Sequence, residues 1–412
     1  MEIPVIIIIL TIVAAFYTSF MGGANDLANS MGTSVGSKSL TLKKAVFVAM
    51  IFSFAGSILV GSHVCLTIKQ GIVDINQLSN RPVDIALGMF AALVSAGIFI
   101  HISNLFGLPV STTHSIVGAV IGFGIVGGGL PYFEWGNLLK IVLSWIISPL
   151  SGGILGFLLF SFVRKTILNK ANPVKEVKKW RPIFIFAVFF MITLSFIYKG
   201  LKNLHLDLDF KTALIIAIVP GLIISVGDKI SQKVRRKTSH DTRYDETERI
   251  FKALQICTAG YMAFAYGAND VGNGIAPLAA IWSVWKNEMT SSGEMVPIWI
   301  LLLGGTGIII GFAVLGYKVV ETIGKKITEI TPSRGFSAEF GCATTVLVLS
   351  KLGMPISTTH TIVGAVIGVG FARGIAALNL RLIKTIIATW LITVPGTAIC
   401  TMILYGLLKL IF

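Results

Sequence analysis

Long apolar runs, separated by shorter polar stretches, recur from one end of the chain to the other. A helix needs about 20 mainly apolar residues to cross the hydrocarbon layer of a membrane, so runs of this order predict spanning helices. We count twelve such segments, and their approximate limits are 3–22, 43–63, 83–103, 114–130, 137–163, 182–198, 211–227, 250–267, 297–316, 336–351, 361–379 and 384–411. The pattern predicts an all-α polytopic membrane protein with about 12 transmembrane helices.

The composition agrees with this prediction. Of the 412 residues, 54% are apolar and only 13% are charged, whereas about 25% of the residues of a typical soluble domain are charged. The formal net charge of +15 does not indicate a nucleic-acid partner, because the basic residues fall mostly in connections between the apolar segments. The lipid bilayer is the expected surrounding.

The basic residues also predict an orientation, because the cytoplasmic loops of membrane proteins are enriched in Lys and Arg. If the N-terminus lies outside and the twelve segments alternate in direction, the inside connections carry 25 of the 34 Lys and Arg residues. The richest of these connections are 164–181 and 228–249. We therefore expect a multi-pass protein of the plasma or inner cell membrane with both termini outside.

Two polar motifs interrupt the apolar pattern, and each of them occurs twice. The motif GANDLAN at 23–29 recurs as GANDVGN at 267–273, 244 positions later; we call these the Asn-Asp motifs. The stretch GLPVSTTHSIVGAVIGFG at 107–124 matches 353–370 at 14 of 18 positions, 246 positions later; we call these the hydroxyl motifs. Two long matches at nearly one spacing indicate that the two halves of the chain are homologous.

The repeat predicts three regions. Residues 1–163 form the first half and 250–412 the second, each with five spans, while 164–249 form a linker with two spans and basic loops. The halves begin seven spans apart, which is an odd number, so they enter the membrane from opposite sides. Inverted-topology repeats of this kind build alternating-access transporters, whose binding sites lie near the middle of the membrane.

The Asn-Asp motifs predict broken helices. Gly22 and Gly23 weaken a helix, Asn and Asp side chains compete for backbone hydrogen bonds, and Pro277 could begin a half-helix. An ionised Asp at a helix centre in the membrane costs roughly 2.5–3.5 kcal/mol, so Asp26 and Asp270 need a partner. Oxygen ligands without a His/Cys cluster favour sodium over a transition metal. Hydrogen bonding between helices alone is the alternative interpretation.

The hydroxyl motifs place Ser-Thr-Thr directly before an apolar helix. Ser and Thr are strong N-cap residues. A re-entrant hairpin that ends in a helix N-terminus would present hydroxyl and backbone N–H groups to an anion. Two such hairpins, related by the repeat, could enclose a tetrahedral oxyanion. A simple helix cap is the alternative.

Three further polar residues lie in or beside apolar segments. His114 and His360 directly follow the hydroxyl runs, and we interpret them as structural hydrogen-bonding residues rather than proton carriers. Glu339 is an acid in a late apolar segment, and Leu93 stands at the corresponding position of the first half. Whether Glu339 belongs to an ion path stays open from the sequence.

The four motif copies resemble the signatures of the inorganic phosphate transporter (PiT) family, and the resemblance covers nearly the whole chain. Members of this family have duplicated inverted halves and move orthophosphate with a cation, which is sodium in some branches and a proton in others. By this resemblance, the expected phosphate-binding residues are Asn25, Ser111, Thr112, Thr113, Asn269, Ser357, Thr358 and Thr359. The expected sodium-binding residues are Asp26, Asn29, Asp270 and Asn273.

The resemblance implies a secondary active transporter that imports inorganic phosphate by sodium symport through alternating access. Sodium is the expected coupling ion, no organic cofactor is expected, and a homodimer is the expected assembly. The alternatives are a proton-coupled phosphate transporter, a related permease for sulfate or another oxyanion, and an ion channel. An enzyme is not expected, because the sequence has no P-loop pattern, no His-Glu-x-x-His and no convincing nucleophile–base pair.

Overall fold

The structure is a computed structural model that describes residues 3–62, 80–129, 131, 133–197, 209–234, 243–286, 296–351 and 356–412. Thirteen α-helices account for most of these residues. They are α1 (Val5–Gly36), α2 (Leu42–Val60), α3 (Pro82–Leu105), α4 (Thr112–Gly127), α5 (Trp135–Val163), α6 (Pro173–Ser195), α7 (Phe210–Val234), α8 (Arg243–Trp285), α9 (Ile298–Leu315), α10 (Tyr317–Glu321), α11 (Pro332–Lys351), α12 (Thr358–Arg373) and α13 (Leu380–Ile411).

The all-α class predicted from the apolar pattern is confirmed. Each of the twelve predicted segments overlaps one helix, and α10 is the additional short one. Seven of the described helices are long and apolar enough to cross a membrane, namely α1, α2, α3, α5, α7, α9 and α13. The segment ends predicted at 63, 130 and 198, and residues 353–355 of the second hydroxyl motif, lie outside the described residues.

The prediction of broken helices at the Asn-Asp motifs is wrong. Helix α1 continues through the first motif to Gly36, and α8 continues through the second with Pro277 in its interior. The stretches 30–40 and 274–286 were candidates for separate half-helices. Their first residues instead continue α1 to Gly36 and α8 to Trp285. The Asn and Asp side chains bond to other side chains and to a neighbouring turn, so they do not compete for the helix backbone. In apolar surroundings each lost backbone bond is costly, which favours the unbroken helix.

The first glycine of each Asn-Asp motif is a point of close helix contact. A Cβ atom on Gly23 would collide with the Ile308 carbonyl of α9, and one on Gly267 would collide with the Ser53 carbonyl of α2. Helix α1 of the first half thus packs on α9 of the second, and α8 of the second half packs on α2 of the first. We call these four helices the carboxylate bundle, because α1 and α8 carry Asp26 and Asp270.

The helices that follow the hydroxyl motifs also pack on helices of the opposite half. Helix α4 of the first half lies on α13 of the second, where Gly122 meets the Ala398 backbone. Helix α12 of the second half lies on α5 of the first, where Gly368 meets the Gly153 backbone. We call α4, α5, α12 and α13 the hydroxyl bundle. Small residues allow such close backbone approach between membrane helices.

Helices α6 and α7 of the region between the halves pack on each other, and α6 also packs against α8. Arg181 of α6 forms an ion pair with Asp228 of α7. Lys178 of α6 forms another with Glu246 of α8, at 2.7 Å. A cluster of buried side chains that includes Phe184 and Phe251 lies next to these pairs. The pair of helices is therefore attached to the second half by both charged and apolar contacts.

Replacing Gly267 by alanine should destabilise the protein, because the added methyl group has to displace the α2 backbone. Overpacking of this kind costs about 1–3 kcal/mol. Gly406→Ala is the matched control, since a Cβ at this position in α13 meets nothing within 4 Å and alanine is the better helix former. Thermal unfolding followed by tryptophan fluorescence should show a lower midpoint for Gly267→Ala only. Equal midpoints would contradict the close contact of α8 with α2.

Candidate functional site

Two helix N-termini lie in the interior of the protein. At the start of α4, the Ser111 side chain accepts a hydrogen bond from the backbone N–H of His114 at 3.1 Å. At the start of α12, Ser357 caps the helix in the same way, accepting from the N–H of His360 at 3.2 Å. Both serines are therefore helix caps, which was the alternative interpretation from the sequence. The threonines that follow each serine take no part in this cap and make other contacts.

Asp26 lies completely buried in α1, where hydroxyl and amide groups surround it. Asn29 donates its amide N–H to the Asp26 carboxylate at 2.7 Å and to the Thr359 hydroxyl of the second half at 2.9 Å. The Thr359 hydroxyl lies 3.2 Å from the carboxylate, and Tyr266 of α8 donates its O–H to the other carboxylate oxygen, also at 3.2 Å. All of these donors are neutral, so they leave the negative charge of an ionised Asp26 uncompensated.

Asp270 has nearly the same surroundings in α8. Asn273 donates to the Asp270 carboxylate at 2.9 Å and to the Thr113 hydroxyl of the first half at 3.1 Å. It also lies 3.0 Å from the hydroxyl of Thr112. Thr358 donates its O–H to Asp270 at 2.9 Å. The Asn273–Thr113 contact repeats the Asn29–Thr359 contact with the halves exchanged, so each Asn-Asp motif meets the hydroxyl motif of the opposite half.

Two buried side-chain oxygens, where the Asn-Asp motifs meet the hydroxyl motifs, are available to bind a ligand. The amide oxygens of Asn29 and Asn273 accept no hydrogen bond from any described residue. Each belongs to an amide whose nitrogen is bonded to the carboxylate three residues earlier. A carboxylate and a free carbonyl-type oxygen on one helix face are ligands that suit a hard cation. The donor set therefore fits a cation such as sodium at each Asn-Asp motif.

The space at the site is small. A cavity of about 10 Å³ is lined by residues that include Tyr266, Asp270, Asn273 and Thr112. A volume of this size is about that of one water molecule. Two of its lining residues from opposite halves, Asn273 and Thr112, are hydrogen-bonded to each other at 3.0 Å, which leaves little room for a ligand.

Asn25 is placed differently from the other predicted phosphate-binding residues. Its amide N–H groups donate to the Asn104 side chain at 2.7 Å and to the Leu108 carbonyl at 3.1 Å, and its oxygen accepts from the Val110 N–H at 3.2 Å. Asn25 therefore holds the turn between α3 and α4 in position. Asn269, its counterpart in the second half, is half-buried and donates to Asp270 at 3.1 Å.

Two residues of the site were missed from the sequence. Asn104 fixes Asn25 and also donates to the Met21 carbonyl at 3.0 Å. Tyr266 directly precedes the second Asn-Asp motif and reaches Asp26 of the first. Asn104 could have been noticed in the sequence, because it is a polar residue in an apolar run, three positions before Gly107. Nothing in the sequence indicated the role of Tyr266, since its partner Asp26 lies 240 residues away.

The two histidines lie together on the side of α4 and α12 that faces α5 and α13. The ring centroids of His114 and His360 are 4.3 Å apart. His360 also stacks on Trp390 at 3.8 Å, and His114 lies 4.8 Å from Trp145. Each histidine ring thus packs against a tryptophan and against the other histidine, and the pair belongs to the packing behind the hydroxyl motifs.

Glu339 lies outside this meeting point, fully buried in α11. Its carboxylate accepts hydrogen bonds from Thr33 at 2.5 Å and Ser34 at 2.8 Å, both in α1. From α8 it accepts hydrogen bonds from Gln255, at 3.2 Å, and from Thr258. Glu339 thus joins α1, α8 and α11 near the C-terminal end of α1. A role in an ion path stays a prediction.

Comparison with known proteins identifies the family. The model of the phosphate transporter family matches residues 22–401, a range that contains both Asn-Asp motifs and both hydroxyl motifs. The chain belongs to the phosphate transporter family. It is therefore a membrane transporter and not an enzyme, which confirms the resemblance drawn from the sequence.

Relatives from distant organisms match along their whole length. A Pyrococcus horikoshii protein named "Putative phosphate permease" is 44% identical over 404 residues, which cover 98% of each chain. A Haemophilus influenzae protein of the same name is 41% identical over 407 residues, covering 98% of this chain and 97% of the relative. A solved structure described as the sodium-dependent phosphate transporter has a TM-score of 0.89 and 40% identity, covering 98% of this chain and all of that one.

Removing the Asn104 side chain should weaken the fold of this phosphate transporter family member around its site. In Asn104→Ala the Asn25 amide and the Met21 carbonyl each lose one buried hydrogen bond, which typically contributes about 0.5–1.5 kcal/mol, while Asn25 keeps its bond to the Leu108 carbonyl. Asn137→Ala, at an exposed position in α5, is the control. Thermal unfolding should show a lower midpoint for Asn104→Ala than for Asn137→Ala. Indistinguishable midpoints would show that Asn104 does not support the turn.

Proposed function

We propose that this chain is a secondary active transporter that imports inorganic phosphate together with sodium by alternating access. The observation that carries the proposal is the contact between the four duplicated motifs. Carboxylate and amide groups that suit a hard cation lie in direct hydrogen-bond contact with hydroxyl groups that suit an oxyanion. The likeness to a sodium-dependent phosphate transporter supports sodium as the cation.

Each Asn-Asp motif would hold one sodium ion. The ligands would be the carboxylate and amide oxygens of Asp26 with Asn29 and of Asp270 with Asn273. The donors now bonded to the carboxylates are neutral, and a buried charge without a counter-charge is costly. A bound cation would remove this cost at each carboxylate. Sodium binding would therefore prepare the site for a second, anionic ligand.

Phosphate would bind between the two hydroxyl motifs. Its oxygens would accept hydrogen bonds from Thr112, Thr113, Thr358 and Thr359 and from the free backbone N–H groups at the N-termini of α4 and α12. The Asn29–Thr359 and Asn273–Thr113 bonds close this space. Entry of phosphate would exchange these bonds for bonds to the anion, and the sodium ions would offset the anion's charge.

The packing suggests which parts move against each other. The carboxylate bundle supplies the proposed cation ligands, and the hydroxyl bundle supplies the helix N-termini. Each bundle combines helices of both halves, so the halves 1–163 and 250–412 are interlaced and do not separate as blocks. We infer that alternating access shifts the hydroxyl bundle relative to the carboxylate bundle, since the boundary between the bundles passes through the site.

The orientation is part of the proposal. The concentration of Lys and Arg in alternate connections supports an outside position for both termini in the cell membrane. The α3–α4 turn contacts Asn25 in the interior of α1, which supports a re-entrant hairpin rather than two full spans. The related α11–α12 unit would be the second such hairpin, and the two would carry the inverted symmetry. A homodimer stays a prediction.

Uptake of radiolabelled phosphate into proteoliposomes tests the coupling. An inward sodium gradient should drive accumulation, and Asp26→Asn or Asp270→Asn should lower the rate by about 10- to 100-fold, because each removes a charged ligand from a dry site. Asp84→Asn is the control, since Asp84 pairs with Arg81 at 2.6 Å outside the proposed site. Uptake that is insensitive to sodium and to Asp26→Asn would refute the proposal.

Two further arms of the same assay separate the alternatives. Phosphate accumulation driven by a pH gradient at zero sodium would favour proton coupling at the same carboxylates. Inhibition by excess sulfate as strong as that by unlabelled phosphate would favour a general oxyanion permease. We expect neither, because sodium has a matching donor set at both motifs, and hydrogen phosphate can donate a proton to the acceptors of the site, which sulfate cannot.

A further inference from the structure

The small cavity at the site lies next to one of the two carboxylates rather than between them. Of the described residues, its walls include Asp270, Asn273, Ser19 and Gly22, but not Asp26. Its volume is about 10 Å³, which is about the size of one water molecule. A bare sodium ion is no larger than a water molecule, whereas phosphate is several times larger. The cavity therefore distinguishes the two Asn-Asp motifs.

One exchange in the sequence accounts for part of this difference. Tyr266 precedes the second Asn-Asp motif, and Gly22 stands at the corresponding position of the first, 244 residues earlier. The Tyr266 hydroxyl donates to the Asp26 carboxylate at 3.2 Å. Gly22 has no side chain that could do the same for Asp270, and it forms part of the cavity wall. A Cβ at Gly22 would meet the Thr112 methyl group at 3.5 Å, an ordinary contact distance, so the cavity has room at this wall.

Ser19 of α1 lines the same cavity. Its side chain is buried, with 3% exposed, and its hydroxyl oxygen has no hydrogen-bond partner among the described residues. A Cβ on Gly274 of α8 would collide with this oxygen, so the glycine makes room for it. Gly274 directly follows Asn273, whose amide oxygen is likewise unpartnered. Because native proteins rarely leave buried polar groups without a partner, two such oxygens beside one carboxylate indicate a ligand.

The first Asn-Asp motif has other residues at the corresponding positions. Ala263 stands at the position of Ser19, and an alanine side chain supplies no oxygen. Ser30 stands at the position of Gly274, and its hydroxyl donates to the Leu27 carbonyl of its own helix at 3.3 Å. The first motif thus has a tyrosine hydroxyl bonded to its carboxylate, and the second has a cavity with an additional unpartnered oxygen.

We propose that the cavity at Asp270 is the first of the two sodium sites to fill, and that Ser19 is a ligand in it. This inference rests on the proposed function, because it assigns an order to the sodium ions of that function. The ligand oxygens are those of the Asp270 carboxylate, the Asn273 amide and the Ser19 hydroxyl, and oxygen ligands of this kind suit a hard cation. The Asp26 site fills second, since the Tyr266 hydroxyl already donates to that carboxylate.

Equilibrium binding of radioactive sodium to the purified protein, with choline as the replacement cation and without phosphate, tests the order. The wild-type protein should show one tighter and one weaker site. Each Asp→Asn variant removes the charged ligand of one site. Asp26→Asn should therefore retain a site that binds sodium about tenfold more tightly than the site that Asp270→Asn retains, a difference of the size expected for one additional polar contact to a charge. The assay reads binding and not uptake.

A matched pair of serine variants tests the new ligand. Ser19→Ala should weaken the tighter sodium site about tenfold. Because the hydroxyl oxygen has no partner among the described residues, this substitution should leave the thermal midpoint in choline unchanged, which the loss of a structural hydrogen bond would not do. Ser95→Ala is the control, since Ser95 of α3 is also buried and unpartnered among the described residues but does not line the cavity. It should leave sodium binding unchanged.

Gly22→Ala tests the cavity itself. The added methyl group narrows the space without a clash, and alanine is the better helix former, so the variant should fold and yet bind sodium more weakly at the tighter site. Unchanged sodium binding in folded Ser19→Ala and Gly22→Ala, or tighter binding by Asp270→Asn than by Asp26→Asn, would overturn this inference and leave sodium coupling standing. A wild-type protein that binds no sodium would overturn both.

Discussion

The structure depends on one contact that is made twice, the hydrogen bond from an Asn-Asp motif of one half to a threonine hydroxyl of the other. Asn29 reaches Thr359 at 2.9 Å and Asn273 reaches Thr113 at 3.1 Å. Both amides also hold the carboxylate on their own helix. Because each amide nitrogen makes both bonds, two buried carboxylates and two helix N-termini come to one point. Both amide oxygens accept no hydrogen bond from a described residue, and these are the atoms that a cation would need. Packing, the site and the proposed coupling all follow from this constraint.

The contact requires helices of the two halves to approach closely, and the glycines allow it. Because Gly23 and Gly267 have no side chain, α1 can lie on α9 and α8 on α2. The glycines of α4 and α12 do the same against α13 and α5. The halves are interlaced as a result, and the separation that matters lies between the carboxylate bundle and the hydroxyl bundle. A transporter built in this way can alter its site by moving helix N-termini away from carboxylates while both halves stay joined.

Much of this architecture can be predicted from the sequence, and the parts that cannot have physical reasons. The apolar runs predict the helices, and the duplicated motifs predict the convergence of Asp26, Asp270 and the threonines. The division into two inverted halves stays a prediction. These patterns do not predict that α1 and α8 stay unbroken, because the helix-weakening tendency of Gly22, Asn25 and Pro277 is overridden by lateral hydrogen bonds and apolar surroundings. The roles of Asn104 and Tyr266 depend on which helices become neighbours in space, and the periodicity of a helix does not show which neighbours it has. The sequence also does not show whether a serine of a hydroxyl motif caps a helix or faces a ligand.

We propose that cation and phosphate share one site and stabilise each other there. Calorimetric titration of the purified protein with phosphate, at increasing sodium and at constant ionic strength with choline as replacement, tests this directly. Because linkage between two ligands is reciprocal, phosphate affinity should rise with sodium, by at least about tenfold over the full range. Asp26→Asn leaves only the proposed sodium site at Asp270 and should make that rise clearly smaller. A phosphate dissociation constant that is the same with sodium and with choline would contradict the account.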